Sequence, residues 1–355
     1  MNNYKRVQEI NKKLGLDAVL VSNGCNMRYI SGFTGETGYL FISDRHHMVI
    51  TDFRYTYQAE MEAEGYEIVT IGSGGYEEAI NEILKNDNVK RLGFEAKDML
   101  YSKYRELKDK LNVDELVPVN DEITRLRRIK TSREIEYIRQ AESIGDKVFA
   151  EILDFIRPGM TELEIAARIE YLLKVYGAQR TSFPAIVASG VNSSMPHAVP
   201  TEKKIEYGDF LTMDFGCVYN GYCSDMTRTI VIGKASDRQK EIYNLVLKAQ
   251  LAALEAIKPG LKGKEIDKVA RDIIYNAGYE GCFGHGLGHS VGLFIHEEPR
   301  LSQNEEDIIE AGMVETVEPG IYIRGFGGVR IEDLVVVTGD GYENLTHSDK
   351  TLIEL

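Results

Sequence analysis

No stretch of this 355-residue chain approaches the roughly 18 consecutive apolar residues that a membrane span requires. Its first residues, M-N-N-Y-K-R-V-Q-E-I-N-K-K-L, lack the apolar core of a secretory signal, so a cytoplasmic protein is expected. The four cysteines (Cys25, Cys217, Cys223 and Cys282) have no C-x-x-C spacing, and reduced thiols rather than a disulfide framework are expected. There is no Lys/Arg-rich run either. With 42 basic against 56 acidic residues the formal net charge is −14, which argues against nucleic acids and anionic membrane surfaces as partners. What remains is an ordinary globular composition, 43% apolar and 28% charged, in a chain about twice the usual size of one domain. Two domains are expected.

The hydrophobic pattern divides the chain accordingly. An amphipathic helix over Tyr4–Leu14 leads into a short apolar strand, D-A-V-L-V-S. Tyr39–Ser43 and His47–Thr51 read as strands joined by the polar turn Asp44-Arg45-His46. A helix over Glu77–Leu84 and a strand over Arg91–Glu95 complete a small α/β pattern ending near residue 120. After a charged join, Thr131-Ser132 and Glu134 mark a helix start, and Pro158-Gly159 marks its stop. The segment I-R-P-G-M at 156–160 recurs as I-K-P-G-L at 257–261. The register continues: Glu164-Ile165 matches Glu265-Ile266, and Gly177 matches Gly278. Such a repeat predicts two related halves packed face to face, with any site between them.

The sharpest chemical signal is D-F-L-T-M-D-F-G-C-V-Y-N-G-Y-C-S-D-M-T-R-T-I, two strand-like runs joined by Asn220-Gly221. A two-residue turn there sets Asp214 opposite Thr227 and places Asp214 and Asp225 on one face, roughly 7 Å apart at the backbone. Carboxylates converging in an apolar hairpin require a cation or a proton. Taken alone, the pair is equally readable as two acids on a solvated strand face. The second half offers a similar pair. Glu318 ends an apolar strand before Pro-Gly, and G-V-R-I-E-D-L-V-V-V places Arg330 and Glu332 on one strand face, where Arg330 could simply neutralise Glu332.

Three of the seven histidines fall in F-G-H-G-L-G-H-S-V-G-L-F-I-H-E-E-P: His285, His289 and His296; His197 lies in S-M-P-H-A-V-P. Glycines at 284, 286, 288 and 292 argue against a helix. The expectation is histidines lining a cleft from loop or strand. Four carboxylates and an imidazole form a hard, oxygen-rich set. It suits a pair of Mn²⁺, Co²⁺, Fe²⁺ or Zn²⁺ ions better than one tetrahedral zinc. Two ions about 3.5–4 Å apart can activate a water for hydrolysis.

These residues resemble a family, the pita-bread metallopeptidases, which include Xaa-Pro dipeptidase (prolidase), aminopeptidase P and methionine aminopeptidase. M-D-F-G, S-D-M-T-R, G-H-G-L-G-H, H-E-E-P, V-E-P-G-I-Y and R-I-E-D occur in the family order. N-M-R-Y-I-S-G-F-T-G-E-T-G and T-D-F-R-Y are similar to the creatinase-type N-domain. The resemblance implies an α/β (α+β) chain with a small creatinase-like α/β domain over residues 1–125. A pseudo-two-fold pita-bread catalytic domain would follow over 126–355. It implies five ligands, Asp214, Asp225, His289, Glu318 and Glu332, holding two divalent ions, with Mn²⁺ favoured. Asp225 and Glu332 would bridge the ions, and Glu318 would also serve as general base. His197 and His296 would hold the substrate carbonyl and the developing oxyanion, with His285 on the substrate side and Arg330 orienting Asp214.

The expected substrate is a short proline-containing peptide, because an Xaa-Pro bond lacks the N–H that extended-strand recognition uses. A dipeptidase needs a cation for the free carboxylate, and Arg300 and Arg54 are candidates. Aminopeptidase P activity on longer peptides is the near alternative, and a homodimer is expected in either case. A non-catalytic binding module and a metal-free creatinase-like hydrolase are the alternatives of other classes. The complete ligand set argues against both.

Overall fold

The computed structural model describes residues 3–355, and the chain separates into two compact units, residues 1–127 and 128–355. The first unit runs α1 (Asn3–Leu14), β1 (Ala18–Val21), α2 (Gly24–Ser31), β2 (Tyr39–Ser43), β3 (His47–Thr51), α3 (Thr56–Glu62), β4 (Glu67–Thr70), α4 (Gly75–Asp87), β5 (Arg91–Glu95), α5 (Tyr101–Lys110), β6 (Glu115–Val119). Its sheet has the order β4-β3-β2-β1-β5-β6, antiparallel at β1–β2 and β2–β3 and parallel elsewhere. The period-two pleat explains why β1 is apolar throughout. Val19 and Val21 enter the core with Val7 and Leu40, whereas Ala18 and Leu20 enter the opposite one with Phe41 and Ile80. Helix α4 exceeds the expected Glu77–Leu84 at both ends and stops at Asn88, whose left-handed backbone (φ 54°) closes it.

The second unit opens with α6 (Ser132–Phe155) and α7 (Glu162–Val175). Both start on reciprocal caps, Thr131 with Glu134 and Thr161 with Glu164. Then come β7 (Arg180–Thr181), β8 (Ile186–Ser189), β9 (Phe210–Phe215), β10 (Cys217–Tyr219), β11 (Tyr222–Cys223) and β12 (Met226–Val231). The second half repeats the scheme with α8 (Asp237–Ala256) and α9 (Gly263–Asn276). Strands β13 (Gly288–Ser290), β14 (Glu297–Leu301), β15 (Val314–Val317), β16 (Gly320–Ile323), β17 (Gly327–Arg330), β18 (Asp333–Val337) and β19 (Tyr342–Asn344) follow. The repeat read from the sequence is geometric as well. Gly159 and Gly260 turn at φ 91° and 95°, and Gly177 and Gly278 at 100° and 90°. Each helix pair covers its own sheet, β12-β9-β8 in the first half and β14-β13-β15-β18-β19 in the second, with a separate buried core beneath each.

Two local breaks position the site. Asn220 and Gly221 (φ 46° and 84°) form the two-residue turn, and Thr227 pairs with Asp214 in the register that turn dictates. The hairpin nevertheless divides between two sheets. At Gly216 a side chain would collide with the Ser224 carbonyl, and Ser224 Oγ takes the Cys217 N–H, so the ladder lapses just before Asp225. The second break corrects an expectation. Arg330 and Glu332 do not share one continuous strand face: β17 ends at Arg330 in a sheet with β16, and β18 begins at Asp333 in the sheet of β15. Between them the Glu332 N–H donates to the Thr227 carbonyl at 3.1 Å, joining the two halves there. Among the described residues, no helix is long and apolar enough to cross a membrane.

Candidate metal centre

Five side chains converge where the two halves meet. Asp214 comes from β9, and Asp225 from the residue before β12. His289 lies at the centre of β13, where Gly288 lets the strand approach the Thr316 carbonyl too closely for a side chain. Glu318 follows β15, and Glu332 occupies the link between β17 and β18. Asp214, Asp225, His289 and Glu332 are buried, and the Glu318 side chain is only 16% exposed. His289 Nε2 stands 3.5 Å from Asp225 Oδ2 and 3.6 Å from Glu318 Oε1. Asp225, His289 and Glu332 each direct one ligand atom into a group spanning no more than 4.8 Å.

The hydrogen bonding around these acids is incomplete in a particular way. Arg330 Nη2 donates to Asp214 Oδ2 at 2.6 Å, and Thr227 Oγ1 donates to Glu332 Oε2 at 2.6 Å. Asp214 Oδ1 and Glu332 Oε1 are buried with no partner. Unpaired buried carboxylate oxygens are costly unless a cation meets them.

The electrostatics agree. Burial, reinforced by Glu332 and Asp214, holds the Asp225 carboxyl well above its usual range, and burial with Glu318 does the same to Glu332. Burial pushes Glu318 up to about 8, against the pull of Arg330, and burial raises Asp214 although Arg330 opposes it. Burial lowers His289 to about 3, which leaves a neutral imidazole able to ligate. Four mutually repelling acids, two orphaned oxygens and a neutral imidazole fit divalent metal.

Three further histidines line the same cavity, of about 520 Å³. His296 meets His289 edge to face, with ring centroids 4.5 Å apart. His285 stands apart from the acids: Nε2 lies 2.9 Å from Tyr322 Oη and Nδ1 2.8 Å from the Gly286 carbonyl, and burial lowers its pKa to about 4. His197 is exposed on the cavity wall, beside Pro196, whose carbonyl accepts from Arg330 Nη1 at 3.2 Å. Arg330 is thus bonded to Asp214 rather than to Glu332, which it reaches only through Thr227 (Arg330 Nε to Thr227 Oγ1, 3.0 Å).

Arg300 lines the cavity. Arg54 is 68% exposed and paired with its own Asp52 at 2.8 Å. Sequence reasoning missed Tyr322, which links Arg330 (2.8 Å) to His285, and Thr227, which links Arg330 to Glu332. Thr227 lies two residues beyond Asp225, so strand period two was the available signal for it, whereas Tyr322 is separated from Glu318 by the change of sheet between β15 and β16.

A buried group of acids and a histidine, built from two related α/β halves and flanked by imidazoles, defines a metal-dependent hydrolase centre. The family models agree. Residues 136–339 match Metallopeptidase family M24 and residues 4–129 match the Creatinase/Prolidase N-terminal domain. Among curated relatives, the Xaa-Pro dipeptidase of Pyrococcus furiosus is 43% identical over 340 residues, 95% of each chain. Among solved structures, an Xaa-Pro dipeptidase from Bacillus anthracis is 45% identical with a TM-score of 0.97, covering 99% of each chain. An X-Pro aminopeptidase from Thermotoga maritima is 38% identical with a TM-score of 0.91, covering 98% of this chain and all of that one. The chain belongs to metallopeptidase family M24 and carries that family's creatinase/prolidase-type N-terminal domain.

Proposed function

We propose that this chain hydrolyses the bond between an N-terminal residue and a following proline, with the dipeptide Xaa-Pro as its favoured substrate. The observation that carries this reading is the single cavity that combines the carboxylate cluster, three imidazoles and a guanidinium, Arg300, on its wall. Residues 126–355 form the catalytic domain in this proposal, and residues 1–125 the accessory one. Asp214, Asp225, His289, Glu318 and Glu332 would hold two divalent ions, Mn²⁺ before Co²⁺, Zn²⁺ or Fe²⁺, with Asp225 and Glu332 serving both. When bound, the ions supply Lewis-acid polarisation and an acidified water.

The remaining work falls to the chain. Glu318 takes the proton of the attacking water and returns it to the proline nitrogen as the C–N bond breaks. His197 and His296 donate to the carbonyl oxygen as it gains charge, and burial keeps His296 below its ordinary pKa. His285 faces the substrate, and Arg330 fixes Asp214 while Tyr322 ties it to His285. None of these contacts needs a scissile N–H, which proline lacks. Arg300 accepts the free carboxylate of a dipeptide.

Cleavage of longer peptides is the second reading. It is favoured by the likeness to the Thermotoga aminopeptidase and by the exposure of Arg300, which shares its charge with Glu298 at 3.4 Å. A cytoplasmic homodimer completes the proposal. The support for the homodimer is the exposure of Phe53, Tyr57 and Met61 (88%, 74% and 69%), spaced by four residues along one side of α3 and its approach. The test is hydrolysis of Ala-Pro and of Ala-Pro-Ala by chelator-stripped protein with and without Mn²⁺, Co²⁺ or Zn²⁺. Metal-dependent cleavage of the dipeptide alone is expected. Equal or better cleavage of the tripeptide moves the assignment to an aminopeptidase, and no cleavage of either with any metal refutes the substrate class.

A further inference from the structure

His197 makes no hydrogen bond or ion pair of its own among the described residues, and its ring is exposed. Where it stands is therefore decided by the backbone of residues 189–201, the segment between the end of β8 and the return of the chain beside α7. Both ends of that segment are drawn to one carboxylate. Glu162, in the first turn of α7, is fully buried. Its Oε1 accepts from Ser189 N at 2.7 Å and Ser189 Oγ at 2.8 Å. Its Oε2 accepts from Thr201 N at 3.0 Å and Thr201 Oγ1 at 2.6 Å. Asn192 Nδ2 lies 3.1 and 3.2 Å from the two oxygens. The start of a helix is also a favourable place for a carboxylate charge.

The fold does not require such a carboxylate. The internal repeat sets Gly263 in the equivalent place of the second half, where any side chain would collide with the Arg300 carbonyl. The clamp belongs to the segment it closes rather than to the architecture.

We propose that Glu162 is a positioning residue: its buried carboxylate gathers Ser189, Asn192 and Thr201 and so fixes where His197 stands over the cavity. The inference rests on the assignment of His197 to the substrate side. Glu162→Gln is the informative change because an amide offers one acceptor oxygen and an NH₂ group. The Ser189 and Thr201 N–H groups cannot both be served, and one end of the segment is released.

The experiment uses metal-loaded full-length protein with Ala-Pro as substrate, and compares Glu162→Gln, His197→Ala and the double variant. Metal content is measured on each, and amide exchange is followed at Ser189 and Thr201. Glu162→Gln is expected to lower kcat by roughly 10-fold to 10²-fold, the scale of misplacing a reacting group. Metal content stays unchanged, and exchange quickens at one or other of the two amides. In the His197→Ala background the same change costs less than about 2-fold more, because a residue acting through His197 has nothing left to position. Thr201→Val, which removes one donor, gives the same pattern with a smaller loss and carries the cycle if Glu162→Gln does not fold. Losses that multiply in the double variants, or unaltered exchange at both amides, overturn the role of Glu162. Failure of the parent protein on both Ala-Pro and Ala-Pro-Ala overturns the functional reading instead, and is seen before any variant is made.

Discussion

Each of the two units buries carboxylates, and they treat them in opposite ways. In the first unit Glu95, 4% exposed at the end of β5, is fully occupied. Its Oε2 accepts from the backbone of Ser22 (2.6 Å) and Asn23 (2.7 Å), and its Oε1 from Asn26 Nδ2 (2.5 Å), all at the start of α2. In the second unit Asp214 and Glu332 each keep one buried oxygen unbonded, and Asp225 Oδ2 stands 3.5 Å from the His289 ring. Burial is the first cause that raises the pKa in both places, so burial is not what distinguishes them. A missing donor is not sufficient either. Glu315 has both oxygens unbonded, yet it stands outside the cluster, and the charge of Lys130 opposes the rise that burial gives its pKa. The mark of the candidate centre is convergence of several acids with unbonded oxygens on one cavity, an arrangement that a shared cation or protons must resolve.

The largest effect expected from this contrast is that of Asp225→Asn. Removing one charge from the centre should lower metal content and reduce Ala-Pro hydrolysis by more than roughly 10²-fold. Full activity with the parent metal content would remove Asp225 from the centre. The parent protein should also show the contrast through protons. Glu318, pushed by burial up to about 8, holds a proton in the metal-free protein at neutral pH and must lose it to bind a cation. Metal affinity therefore rises with pH towards 8 and falls below it. Titrating metal into weakly buffered protein at pH 7 should release at least about one proton per chain, and release of none would count against the four acids as the receiving group. The smallest effect on catalysis is expected for Glu95→Gln. It should destabilise the first unit by about 1–3 kcal/mol in denaturant unfolding, because one of its three donors loses its acceptor. Metal content and kcat of the folded protein should match the parent, and a fall in either would erase the distinction between the two kinds of buried acid.

Local rules made a good part of this visible beforehand. Asn220-Gly221 dictates a turn of positive φ, and from it the pairing of Asp214 with Thr227 follows by counting. Thr131 and Glu134 announce the start of α6, and the two Pro-Gly stops announce the repeat. The glycines around His285 and His289 exclude a helix there, as the strand at β13 bears out. The reading of R-I-E-D as one strand failed because period two describes a strand only while it stays in one sheet. At Ile331–Glu332 the chain leaves one sheet for another, and the Glu332 N–H is taken by Thr227. Tyr322 was hidden for a different reason: its role depends on Arg330 and His285, neither of which lies within a strand turn of it.

By itself, the sequence settled several of the helices and strands, that the second unit is a repeat, and which residue types could carry metal chemistry. These follow from short-range sterics, capping and periodicity, which act within a few residues. The tertiary structure alone decided the partners: Arg330 with Asp214 across 116 positions, Thr227 with Glu332 across 105, and Glu162 at both ends of the segment bearing His197. Those pairings are set where two sheets and two halves pack, and the geometry of that packing is fixed by the two cores beneath the sheets.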